Sequence, residues 1–171
     1  VGKSNFVSYF KMLGELVDKR LQNWTTKQGT ADRILSFGLK ETSELKSFVE
    51  FGRNGYLFSL EPTVDGSFSF SAEELYFNGP YFGQKWIILG SGHTESKLKE
   101  YSEKSKGDVA NYCYDSISNW KVYHFHDTSD TAAVKRVGSL HDNEYLRTDA
   151  ANLAAFLYKL KKEHESTYTQ I

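Results

Sequence analysis

The sequence predicts an α+β fold in which an antiparallel β-meander is flanked by helices, and three observations carry that prediction. Residues 5–21 space their apolar side chains for a helix. Residues 47–90 break into short apolar and aromatic runs separated by turn-forming residues. The final segment has the pattern of an amphipathic helix. The links between the runs at 47–90 are too short for crossover helices, so these strands run antiparallel and not as parallel βαβ units.

At the front, Phe6, Phe10, Leu13 and Val17 follow one another at intervals of four, three and four, which places them on one helical face. Glu15, Asp18 and Lys19 are left for solvent. From 22 to 45 the periodicity weakens. Gly29, Gly38 and the pair Thr42-Ser43 mark connections around one short element between Arg33 and Leu39. Residues 47–51 and 56–60 then read as a hairpin closed by Arg53-Asn54-Gly55. Further strands are expected at 67–70, 74–77 and 85–89, with turns at Asp65-Gly66 and Asn78-Gly79-Pro80, giving a sheet of four or five strands.

Residues 94–118 return to helical spacing, interrupted near Gly107 and restarted at Asp108, an N-cap ahead of Val109, Tyr112 and Ile117. A strand at 121–125 and a long polar loop at 126–146, punctuated by Gly138, follow. The last helix takes Thr148 or Asp149 as its cap and gathers Leu153, Phe156, Leu157 and Leu160 on one face. Lys159, Lys161, Lys162 and Glu163 lie on the other.

A chain of 171 residues supports one domain with a real core, here residues 1–171. Twenty-one basic residues against twenty-two acidic ones leave a net charge of −1, so composition gives no electrostatic footprint for nucleic acid or membrane. Cys113 has no cysteine to pair with and sits in an aromatic stretch, where a thiol acts as a small apolar residue. A reducing compartment is expected. No apolar run approaches the roughly 18 residues that span a bilayer, so a cytoplasmic protein without membrane association is expected. Val1 at the start and helical sequence running up to Ile171 predict a segment of a longer protein.

Gly2-Lys3-Ser4 matches the end of a phosphate-binding loop, Gly-x-x-x-x-Gly-Lys-Ser/Thr. In such a loop backbone N–H groups cradle phosphates, the lysine reaches the β- and γ-phosphates, and the hydroxyl ligates Mg²⁺. The tripeptide opens directly onto the first helix, as a phosphate loop must for the helix dipole and amides to face the phosphates. An ordinary helix cap accounts for the same residues.

Two later stretches join this motif. These are Trp120-Lys-Val-Tyr-His-Phe-His-Asp-Thr-Ser129 and Tyr145-Leu-Arg-Thr-Asp-Ala-Ala-Asn-Leu-Ala-Ala-Phe-Leu-Tyr-Lys-Leu160. With Gly2-Lys-Ser-Asn-Phe6 they resemble bacterial ATPases of the RecF/SMC type, AAA-labelled proteins with ABC-like heads, and the order of the elements fits the front lobe of such a head. The resemblance implies that Gly2 gives the backbone room, Lys3 contacts the β/γ-phosphates, Ser4 holds Mg²⁺ and Asn5 belongs to the nucleotide-binding set. It implies ATP and Mg²⁺ as cofactors, a head-to-head homodimer, and action on DNA in repair, maintenance or defence. It also places the signature sequence, the acidic Walker B strand and the switch histidine beyond the equivalent of residue 171. Phe125-His126-Asp127 lacks the adjacent glutamate, so no hydrolysis is expected from this sequence alone.

His124 and His126, two apart on an expected strand, share one face and could meet Asp127 or His141-Asp142 as ligands for zinc or another transition metal. Polar residues at the end of a strand also serve simply to face solvent or tie down a loop. In ABC-like heads a glutamine in the corresponding loop senses the γ-phosphate and Mg²⁺. Residues 124–129 contain none, which leaves His126 or Asp127 as substitutes.

Trp24, Trp86 and Trp120, with eleven tyrosines and twelve phenylalanines, offer stacking surfaces for single-stranded nucleic acid, although alternation with small and polar residues favours packing on the sheet. Lys159, Lys161 and Lys162 read as a solvated helix face. The competing function is a non-enzymatic protein- or peptide-binding module in which Gly2-Lys3-Ser4 only caps a helix.

Overall fold

The computed structural model describes residues 3–81, 83–104, 106–121, 123, 129 and 131–170, with the backbone only of Lys3. The chain divides into two compact units, Val1–Trp120 and Lys121–Ile171.

The first unit carries helices α1 (Lys3–Val17), α2 (Leu21–Gln28) and α3 (Ala31–Ile34), strands β1 (Leu45–Phe51), β2 (Asn54–Pro62), β3 (Phe68–Gly79) and β4 (Gly83–Gly90), and helices α4 (Leu98–Lys104) and α5 (Val109–Ser118). The strands form one sheet in the order β1-β2-β3-β4, each antiparallel to its neighbour. The fold is therefore α+β with an antiparallel meander, as the sequence predicts. Alternation turns Tyr56, Phe58 and Leu60 of β2 and Phe68, Phe70 and Leu75 of β3 into the core. There they cluster with Met12, Leu13, Leu16 and Val17 of α1 and Cys113 and Ile117 of α5. Each fully buried Leu or Phe contributes about 1.5–3 kcal/mol relative to exposure. That burial, more than helix propensity, fixes α1 in place. On the opposite face of the sheet, Phe48, Tyr76 and Trp86 contact one another.

Several local expectations are corrected. The helix expected over 5–21 ends at Val17; Lys19 adopts φ 61°, and Leu21 opens a second helix. Phe6, placed on the buried face by spacing, is 65% exposed, because the buried stripe of α1 runs through Met12, Leu13, Leu16 and Val17. Where one short element was expected near 33–39, α2 and α3 are found, separated by Gly29 at φ 92°.

The hairpin turn is Gly52-Arg53 and not Asn54-Gly55: Phe51 pairs with Asn54, and Gly52 supplies the positive φ of 65° that a glycine-led two-residue loop requires. Gly55 instead sits in β2 beneath the Phe48 ring, where a Cβ would come within 2.8 Å of that ring. The strands expected at 67–70 and 74–77 are one strand. Ser59 pairs with Ala72 and Leu60 with Phe70, so Ser71 is the extra residue of a bulge. A second bulge puts Leu89 between the partners of Glu73 and Glu74. Asp108 caps α5 as expected, its side chain accepting from Asn111 N at 3.1 Å.

Between the two bulges, Glu73 is fully buried opposite Phe58. Its Oε1 accepts from Tyr56 Oη at 2.6 Å and Ser96 Oγ at 2.5 Å. Its Oε2 meets His93 Nε2 at 2.8 Å and accepts from Lys97 N at 3.0 Å. The carboxylate is an acceptor, so His93 carries its hydrogen on Nε2, while Nδ1 is buried with no partner among the described residues. The His93 ring is stacked on Phe70, with centroids 4.6 Å apart and planes 19° apart. Ser96 Oγ in turn accepts from Leu98 N at 3.0 Å, at the start of α4.

A buried carboxylate costs several kcal/mol in lost hydration. Four donors, each worth about 1.5–3 kcal/mol to a charged acceptor, offset that cost. Burial, reinforced by the neighbouring Glu73 charge, pushes the Tyr56 hydroxyl well above its ordinary pKa, so it remains a donor. The same segment reaches α2: Glu95 accepts from Leu21 N at 2.9 Å and Gln22 N at 3.1 Å, capping a helix whose own preceding residue, Arg20, gives no side-chain cap.

The second unit contains a 3₁₀ turn (Ala133–Lys135), α6 (Leu153–Glu163) and α7 (Glu165–Tyr168). Of the strand expected at 121–125, Lys121 and Tyr123 carry no strand, and the other three residues lie outside those described. The residue ahead of α6 is Asn152, not Thr148 or Asp149. Asn152 is buried and holds the preceding loop, accepting from Arg147 N at 2.9 Å and donating to Asp142 O at 2.9 Å and Tyr145 O at 2.7 Å. Lys159 pairs with Glu144, and Lys161 and Lys162 are exposed, each over a tyrosine ring. Among the described residues no helix is long and apolar enough to cross a membrane.

Two substitutions test these anchors. Glu73→Ala leaves Tyr56, Ser96 and the Lys97 amide without their acceptor and is expected to cost about 3 kcal/mol or more in urea unfolding; Glu73→Gln should cost less. Asn152→Ala is expected to cost about 1–3 kcal/mol locally, read as lost hydrogen-exchange protection of the Arg147 amide with β2 and β3 unaffected.

Candidate phosphate-binding site

The helix α1 begins at Lys3, so the end of the predicted phosphate loop and the start of a helix coincide. Gly2 and the Lys3 side chain lie outside the described residues. Ser4 and Asn5 are exposed in the first turn. The leading amides of a helix have no intrahelical acceptor, and its dipole favours an anion there. No acidic residue in the first turn of α1 opposes that preference. The helix is held farther along its length: the Tyr9 hydroxyl is hydrogen-bonded to Ser47 of β1, Phe10 packs edge-on against Trp120 with centroids 4.6 Å apart, and Leu13, Leu16 and Val17 are fully buried. The first turn is thus presented by a fixed element. Asn5, Ser8, Tyr9 and Met12, spaced along one helical face, also border a cleft whose other walls come from α2, α3 and the start of β1.

The histidine constellation is only partly in view. His124, His126 and Asp127 lie outside the described residues. His141 is exposed, and Asp142 is engaged by Arg147 Nη1 at 3.2 Å as well as by Asn152. Among the described residues no group of three or more His, Cys, Asp and Glu side chains is placed to hold a metal ion.

Sequence reasoning assigned no role to Glu73, His93 and Ser96, or to Gln28 and Arg33 on the cleft. Glu73 stands in a strand of alternating polar and apolar residues, where its side could be read but not its partners 17 to 24 residues away. Gln28 and Arg33 come from separate helices and form no motif.

Cys113 is buried, with Sγ 3.4 Å from Gly55 O. Burial first, and then the nearby Asp108 charge, raise its thiol from an ordinary 9.0 to about 12. This thiol is packing and not a nucleophile. Because the folded-state value is raised, the associated stability is present below about pH 9 and is lost as pH rises toward about 12. The folded protein is expected to leave Cys113 unmodified by a disulfide reagent at pH 8, with full reaction only after addition of denaturant. Rapid labelling of the native chain would contradict the burial.

Comparison of the chain with protein-family models, curated proteins and solved structures finds no match.

Proposed function

We propose that this chain is the phosphate-loop end of a RecF/SMC-type ATPase, equivalent to the front lobe of an ABC-like head. The observation that carries the reading is the coincidence of Gly2-Lys3-Ser4 with the start of an anchored 15-residue helix whose first turn contains no acid. In this reading the Lys3 ammonium neutralises the β- and γ-phosphates of ATP, and Ser4 Oγ ligates Mg²⁺. Gly2 lets the backbone approach the phosphates, and Asn5 lines the edge of the site. The sequence contains no apolar strand ending in paired acids, so hydrolysis depends on carboxylates supplied from outside it. A head-to-head homodimer acting on DNA in the cytoplasm is the assembly this reading entails.

One observation favours a second reading, a protein- or peptide-binding module. Phe48 and Trp86 on the outer face of the sheet are each 45% exposed, with Ile88 72% exposed beside them. Such an apolar surface suits a partner chain.

Nucleotide binding separates the two. The intact gene product is expected to bind Mg·ATP in calorimetry, and Lys3→Ala should weaken that binding about tenfold or more without shifting the melting temperature. Codons immediately before Val1 should encode Gly-x-x-x, so that with Val1 they complete Gly-x-x-x-x directly ahead of Gly2. Equal affinity in the variant, or an unrelated sequence at those codons, would remove the ATPase reading.

A further inference from the structure

We propose that the cleft between α1, α2 and α3 is a binding site for a small planar aromatic carboxylate. The cleft is open to solvent and has a volume of about 390 Å³, within the roughly 300–1,000 Å³ of small-molecule sites. One part of its wall is apolar, formed by Tyr9, Met12, Trp24 and Leu35; Gln28 and Arg33 are the larger polar groups. Among the described residues no carboxylate lines it.

Two features give this cleft a chemical preference. The first is Arg33, an exposed residue whose guanidinium makes no ion pair or hydrogen bond among the described residues. Its stem crosses the backbone of Gly29, where a Cβ would come within 2.7 Å of Cδ and 3.3 Å of Nη1. A Cβ there would shift the flexible Arg33 stem, while the φ of 92° is what requires a glycine at position 29. The nearest acid on the same helix, Asp32, is occupied by the Leu39 amide at 2.9 Å. A planar guanidinium with no protein counter-charge matches a carboxylate through two parallel hydrogen bonds.

The second feature is Trp24. Trp86 and Trp120 each pack against other rings, whereas Trp24 has no ring partner among the described residues. It packs on the core and still lines the cleft. A flat ring stacked on this indole with its carboxylate on Arg33 satisfies both features. A bare inorganic anion leaves the apolar wall wet, and a neutral ring leaves the guanidinium unmatched. The site does not depend on the phosphate-loop reading, since it uses neither Lys3 nor Ser4 and requires no phosphate.

The test follows the indole Nε1 resonances of Trp24, Trp86 and Trp120 in the intact chain during titration with indole-3-carboxylate. A saturable shift of the Trp24 resonance alone is expected, with indole-3-carboxamide binding about tenfold or more weakly and inorganic phosphate leaving Trp24 unmoved. Arg33→Gln should lower carboxylate affinity to that of the carboxamide, and Arg33→Lys should restore it only in part. The proposal is overturned if Trp24 does not respond at low-millimolar ligand, if carboxylate and carboxamide bind equally, if phosphate alone produces the shift, or if Arg33→Gln binds like the parent.

Discussion

The first unit is organised around one buried charge. Glu73 lies between two β-bulges on the core side of the sheet, where a carboxylate without partners would be prohibitively costly. Its four donors come from β2 and from the segment that follows β4, so satisfying the charge ties that segment to the sheet. The tie then propagates. Ser96 receives the first amide of α4, and Glu95 caps α2 through two amides. Residues 94–97, expected from spacing to be helical, instead precede α4 at Leu98 and set where two helices begin.

The position of α1 follows from the same arrangement. The face of β2 that carries Tyr56 toward Glu73 also carries Phe58 and Leu60 into the cluster that buries Leu13, Leu16 and Val17. With its later turns fixed, α1 offers its first turn to solvent and one side of its first half to the cleft. Both proposals therefore involve α1: its first turn carries the phosphate-loop reading, and one flank of its first half borders the cleft that Trp24 of α2 and Arg33 of α3 also line. Cys113, with its raised pKa, belongs to the packing and to neither surface.

Much of this was legible where the physics is local. The strands announced themselves by alternation and turn residues, α5 by Asp108, and the start of α1 by its spacing and by the consecutive residues Lys3, Ser4 and Asn5. The errors arose where two local signals competed or where the partner was distant. Asn54-Gly55 is a strong turn signal, yet Gly55 was needed flat beneath Phe48, and the turn moved to Gly52-Arg53. The bulge at Ser71 looked like the end of a strand because an inserted residue breaks the alternation without breaking the ladder. The helix α2 lacks a local cap because its cap comes from Glu95, 74 residues away. Asp149 looked like the cap of α6, but a buried Asn152 bonded to three backbone groups displaced it.

The sequence by itself determined the α+β class, the antiparallel meander and the placement of Lys3 and Ser4 at a helix start, because each rests on contacts between residues close in the chain. Tertiary structure alone decided that Glu73 is buried, that Glu95 caps α2, and that Trp24, Gln28 and Arg33 face one cleft with Tyr9. The reason is physical: a buried charge and a binding cleft are defined by which groups share a desolvated space, and that is settled only when distant segments pack.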